Sequence, residues 1–292
     1  MDLTLSVLRN NFTQDKMRIG GDCVNVPSNF LVMRCFWQYI KYFFRSKHWR
    51  GYGVHSPYMF YLVTMIIEDK NSFYRFSQIE NMRKILKKTT KKIKIEEGGV
   101  EKEVGISSLL KKGVISPTYD QLLFRLIKFF HPKNILEIGT SAGVTSMYMA
   151  APYSDTQVCT VENQKEVAKL ARLSFQRAEF HNIEVYNPKE DGTRYDKKIK
   201  ETDFDLYYFG RESTVAEIRE VLTRDSGKFT GNTVIIMSDI YKSEEKELLW
   251  GEMKQIRGVR VSLELFFYGI LIFNEDLRPE SYNLFFIPPL FR

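Results

Sequence analysis

The sequence predicts an α/β protein: a mostly parallel, doubly wound sheet of seven strands with an antiparallel terminal strand, preceded by an N-terminal helical cap. Three observations carry this. From residue 131 onward, short apolar runs alternate with helical periodicity, as repeated βα units require. The last two apolar runs, 259–266 and 268–273, are nearly contiguous, so they must pair antiparallel. The first run ends in a turn bearing Gly139 and Gly143 that leads straight into a helix.

The elements follow in order. Residues 1–35 are mostly polar and aperiodic and are expected to be a weakly ordered tail. Residues 36–130 form the cap. Its first helix is aromatic-rich and covers 36–50. Ser56-Pro57 then supplies an N-cap hydroxyl and a proline at a position that needs no amide, starting a helix over 57–68. A lysine-bearing helix over 81–94 is expected to break at Gly98-Gly99. Ser116-Pro117 repeats the capping logic for a helix through Phe130. The domain over 131–292 begins with strand Asn134–Ile138 and a helix over 144–151. Strand Gln157–Val161 precedes a helix over 165–181, and Ile183–Tyr186 is the third strand. Strands over 204–209 and 233–237 follow, each with a helix after it, over 214–222 and 244–256.

Composition narrows the function classes. Hydrophobic residues make up 43% and aromatics 14%, which suits a packed core rather than disorder. No apolar run is long enough for a membrane span, and Asp2 stands where a signal peptide needs positive charge. Cys23, Cys35 and Cys159 have no metal or redox spacing, which fits a reducing, cytoplasmic setting. The net charge of +7 is uneven: residues 1–130 carry 22 basic and 11 acidic residues, residues 131–292 carry 21 and 25. A basic half is compatible with nucleic acid, yet a lysine run is more often a solvated face, so nucleic-acid binding is not the favoured expectation.

The chemistry is concentrated in Ile135-Leu136-Glu137-Ile138-Gly139-Thr140-Ser141-Ala142-Gly143. The glycines permit a tight turn, and the following helix aims free amides at the loop. Glu162 ends the next strand, at the offset of a ribose-binding carboxylate in a βαβ nucleotide fold. At these residues the chain resembles the Rossmann-like class I S-adenosylmethionine (SAM) methyltransferases, whose first motif reads E-x-G-x-x-x-G. The resemblance implies SAM as cofactor, bound by Glu137, Gly139, Thr140, Ser141, Gly143 and Glu162. Gly53-Val54-His55-Ser56-Pro57, Asp239-Ile240-Tyr241 and the 265–270 segment extend it to a bacterial group of methyltransferase-like proteins over residues 36–292.

In layout the chain also resembles catechol-type O-methyltransferases, whose fourth and fifth strands end in metal-binding acids. Here Gly210 and Ser238 stand in two of those places, leaving Asp239 alone, so no metal is expected. Methyl transfer needs alignment and at most one base. Asp239 and His55 are the catalytic candidates, Tyr241 and Arg211 are rim residues, and the cap is expected to bring His55 near the 139–143 loop or Asp239. Asp239 as a surface carboxylate and His55 as a turn residue remain the alternatives. The expected function is metal-independent methylation of a small molecule; the aromatic N-terminal helix is expected to cap the active site or to pack in a homodimer, with an amphipathic segment touching a membrane as the remaining alternative. A degenerate binding or scaffold protein and an RNA methyltransferase are the rivals. The latter lacks an Asn-Pro-Pro-Tyr-type tetrapeptide and a catalytic cysteine motif.

Overall fold

The computed structural model describes residues 16–19, 22–25, 28–46, 51–113 and 116–286. Residues 1–15 of the expected tail lie outside these. The rest of that segment contains a small hairpin, β1 (Lys16–Ile19) and β2 (Asp22–Asn25), and the start of helix α1 (Ser28–Arg45). Helix α2 (Pro57–Tyr61) begins as expected, with Ser56 accepting from the Met59 amide at 3.4 Å, and continues as a π-type turn over Leu62–Ile67.

Helix α3 (Tyr74–Lys88) stops earlier than expected. Strands β3 (Lys92–Glu97) and β4 (Val100–Gly105) follow as an antiparallel hairpin. The physical reason lies in the period: Lys-Ile-Lys-Ile alternates every second residue, which is a strand pattern. Gly98 and Gly99 both have positive φ, 61° and 77°, as a tight hairpin turn demands. Helix α4 (Ile106–Gly113) then leads to α5 (Pro117–Phe130), capped by Ser116 and closed by His131 in the left-handed region.

Parallel strands β5 (Asn134–Ile138), β6 (Gln157–Val161), β7 (Ile183–Tyr186), β8 (Leu206–Phe209) and β9 (Val234–Ser238) alternate with helices α6 (Val144–Ala150), α7 (Lys165–Arg177), α8 (Pro188–Glu201), α9 (Val215–Asp225) and α10 (Glu244–Met253). Strands β10 (Val261–Glu264) and β11 (Tyr268–Ile272) form the expected antiparallel pair. β12 (Glu280–Asn283) adds an eighth strand parallel to β10. The order is β12-β10-β11-β9-β8-β5-β6-β7. Chain order reverses at β5, whose neighbours are β6 and β8, so the crevice for a ligand falls beyond the carboxyl ends of these strands.

Successive residues of β5 feed opposite layers. Ile135 joins the core under α5, α6 and α7, with Leu122, Met147 and Ala171. Leu136 joins the core with Tyr207, Ile218 and Trp250. The site is thereby clamped from both faces of the sheet.

Candidate functional site

The 139–143 loop leaves the carboxyl end of β5 with Gly139, Ser141 and Gly143 all at positive φ. Its walls are protein. A Cβ on Gly143 would sit 2.5 Å from the Phe175 ring, and the nearest atom to one on Gly139 would be the Ser213 amide at 3.5 Å. Gly143 thus admits close packing of α7, whereas Gly139 is required by its positive φ alone, since a Cβ there would make only an ordinary contact. Thr140, Ser141 and Ala142 are buried, and the Thr140 and Thr160 hydroxyls bond at 2.6 Å.

Glu162 crosses to this loop. One carboxylate oxygen accepts from the Ser141 amide at 2.9 Å and the other from the Gln164 amide at 3.0 Å. Burial raises its pKa. Asn187, at the carboxyl end of β7, donates to the Glu162 carbonyl at 2.7 Å and caps α8 through its own oxygen. A cavity of about 360 Å³ lies between β5, β6, α8 and α9, lined by Ile138, Val161, Asn163 and Pro188 and by the charged Asp196, Glu217, Glu220 and Arg224 among others; Glu162 and the 139–143 loop border it without lining it. That volume falls within the range of small-ligand sites.

Glu137 faces inward below the loop. It is fully buried, accepts from the Ser146 hydroxyl, and leaves Oε1 without a hydrogen bond. Burial pushes its pKa up to about 8. The Ser141 hydroxyl is likewise buried and unpartnered.

Asp239 follows β9 with φ of 52° and is 2% exposed. Its carboxylate meets the Arg211 guanidinium at 2.6 Å, and Arg211 is itself buried. Arg211 was expected at the rim; it is instead the buried charge partner of Asp239. Lys246 from α10 donates to the Arg211 carbonyl at 3.2 Å, and burial brings its pKa down to about 8. Lys246 was not legible in the sequence, because a lysine in a charged helix reads as solvated. Tyr241 donates to Glu264 at 2.6 Å and packs on Phe266.

Gly210 decides what can stand at the end of β8. A Cβ there would lie 2.8 Å from the Gly139 carbonyl oxygen and 3.0 Å from that of Ile138. Both are backbone atoms, which cannot rotate away. An aspartate at this position is excluded unless the loop moves.

The structure gathers Glu137, Gly139, Thr140, Ser141, Gly143 and Glu162 in one place, with Asp239 farther along the same edge. It does not bring His55 to them. His55 is exposed, and Tyr58, three residues on, packs against Phe129 and lines a different cavity with Lys133, Asp205 and Val234. Those residues mark the amino ends of β5, β8 and β9. The capped turn carries His55 toward that edge because α5 runs from the carboxyl edge, where Tyr119 bonds the Leu265 carbonyl, down to Phe129.

Comparisons with known proteins agree with this architecture. Residues 100–211 match the model of a family described as O-methyltransferase. No curated protein matches the chain in sequence. An O-methyltransferase from Bacillus cereus, crystallised with S-adenosylhomocysteine (SAH), is 17% identical. It aligns over 72% of this chain and 94% of its own, with a TM-score of 0.50. An SAH-bound methyltransferase from Podospora anserina is 12% identical over 75% of this chain and 96% of its own, with a TM-score of 0.51. The chain has the Rossmann-like fold of the class I SAM-dependent methyltransferases.

Proposed function

We propose that this protein transfers a methyl group from SAM to a small-molecule acceptor without a metal ion. The observation that carries the reading is the Glu162 carboxylate, fixed at the carboxyl end of β6 and bonded to the amide of Ser141 in the 139–143 loop. The residues fit the cofactor. Glu162 suits ribose hydroxyls, and Ile138, Val161 and Pro188 supply apolar surface to the neighbouring cavity between β5, β6, α8 and α9. SAM, when bound, supplies a methyl group on a positively charged sulfur. The relatives crystallised with SAH support the same choice.

Metal independence rests on two residues. Gly210 leaves no room for an acid, and the Arg211 guanidinium already supplies fixed positive charge to Asp239. Asp239, engaged in that pair, orients Arg211. Lys246, with its pKa near 8, is the adjacent group able to exchange a proton near neutral pH.

Titration calorimetry with SAM and with SAH tests the reading. Both should bind, and binding should survive EDTA. Absence of binding by either compound would overturn it. A binding protein of the same fold is the second reading, favoured by the commitment of Asp239 to Arg211; it would bind both compounds and turn over no acceptor.

A further inference from the structure

Twelve large apolar side chains are exposed among the described residues, and three of them, Trp37, Phe43 and Phe44, lie close together on the single helix α1. The same stretch has a one-sided charge. No acidic residue occurs between Asp22 and Glu68, whereas Arg34, Lys41, Arg45, Lys47 and Arg50 do. Concentrated apolar exposure marks an interaction surface, and the charge says what kind of partner it suits.

Helix α1 shows how the surface is built. One face is anchored to the sheet. The Tyr42 hydroxyl donates to the Glu264 carbonyl at 2.9 Å and also to that of Leu284, and Gln38 donates to Glu247 at 2.8 Å. Tyr39 packs edge-on against Phe266. The opposite face carries Trp37, Lys41, Phe44 and Arg45, all exposed, with Trp37 at 56% and Phe44 at 78%. Their spacing of i, i+4, i+7 and i+8 places them in one stripe. The stripe alternates aromatic rings with cations. No helix among the described residues is long and apolar enough to cross a membrane.

We propose that the outer face of α1 seats this protein on an anionic phospholipid surface. Aromatic rings fit the headgroup boundary, and lysine and arginine between them meet the lipid charge. A second copy of the chain suits the stripe less well. A two-fold contact would bring two stripes of the same positive charge together, and dimer centres are poor in lysine.

The test uses the full chain and extruded vesicles of phosphatidylglycerol and phosphatidylcholine, with pure phosphatidylcholine as the comparison. Sedimentation should recover the protein with the anionic vesicles and leave it in solution with the neutral ones. Tryptophan emission should shift to the blue, since Trp37 is exposed and Trp250 already buried. Lys41→Gln with Arg45→Gln should weaken partitioning about 25-fold, at roughly fivefold per basic residue near such a surface. Phe44→Ser should weaken it as well, and thermal melts should show both variants folded. Equal binding to neutral vesicles, or no effect of these substitutions in folded protein, would overturn the proposal. So would a concentration-dependent dimer that Phe44→Ser dissolves while vesicle binding is absent; that outcome assigns the face to a second copy. Preferential binding of RNA, lost with the two glutamines, would also overturn it.

Discussion

Burial holds Glu137 and Lys246 away from their ordinary charge states, in opposite senses. The Glu137 pKa rises from 4.5 to about 8, so folding takes up a proton between those values and stability falls as pH rises through that window. The Lys246 pKa falls from 10.5 to about 8, so the unfolded chain holds the extra proton and stability rises between pH 8 and 10.5. Together they produce a local minimum of stability near pH 8, with limbs of at most about 1.4 kcal/mol per pH unit each. Urea unfolding across pH 5–10 measures this. Glu137→Gln should flatten the lower limb and Lys246→Met the upper; unchanged limbs would show that neither group titrates as its burial requires. The position of Glu162 was legible in the sequence: the end of the second parallel strand places it against the 139–143 loop, where it accepts from the Ser141 amide. Glu162→Ala should weaken SAM binding by about 1.5–3 kcal/mol, the range for hydrogen bonds to a charged group. Calorimetry on the folded variant decides it, and undiminished affinity would take Glu162 out of the site. The Arg211–Asp239 pair was not legible: an arginine beyond a strand reads as rim, and only the fold turns it inward.

Among the elements, the loop between β5 and α6 depends on contacts that its glycine pattern does not reveal. The sequence shows that Gly139 and Gly143 allow a turn. It cannot show that Phe175, from the next helix, occupies the space beside Gly143. Gly143→Ala should therefore cost more than the 1 kcal/mol or so of placing alanine at positive φ; about 2–4 kcal/mol is expected from strain and overpacking together. Adding Phe175→Leu should recover part of the loss, since the clash is relieved and the backbone strain remains. Chemical denaturation of the two single variants and the double one measures the coupling; strict additivity would mean that the ring is not the obstacle. The parallel strands were legible because buried strands read as apolar runs between turn residues. The β3–β4 hairpin was not, because a run of lysines hid its alternation. Helix α8 was missed for a related reason: its sequence is largely polar, and Gly192 breaks its helical geometry internally.

The charge distribution of the whole molecule separates the basic half into two parts. In the hairpin the lysines are matched across strands, Lys92 to Glu103 at 4.0 Å, Lys94 to Glu101 at 3.3 Å and Lys102 to Glu97 at 2.7 Å, and the hairpin's Glu96 pairs with Lys189 of α8 at 2.6 Å. Such exposed pairs add little stability, yet they leave little net charge for a polyanion to find. The cation excess of residues 28–50, by contrast, has no acids of its own stretch to offset it. A nucleic-acid enzyme built on the lysine run would bind RNA with steep salt dependence, because each neutralised phosphate releases a counterion. With Lys92 and Lys94 of that run paired across the hairpin, the expected outcome is the opposite: weak, sequence-indifferent binding with a logarithmic salt slope no steeper than about −3. Filter binding of structured and unstructured RNA at several salt concentrations would measure the slope. Lys94→Gln and Lys102→Gln in the hairpin should leave it unchanged, whereas Lys41→Gln and Arg45→Gln in α1 should reduce it. Tight, structure-selective binding at physiological ionic strength, lost with the hairpin substitutions, would show that those ion pairs open for RNA, and would move the methyl acceptor from a small molecule to a nucleic acid.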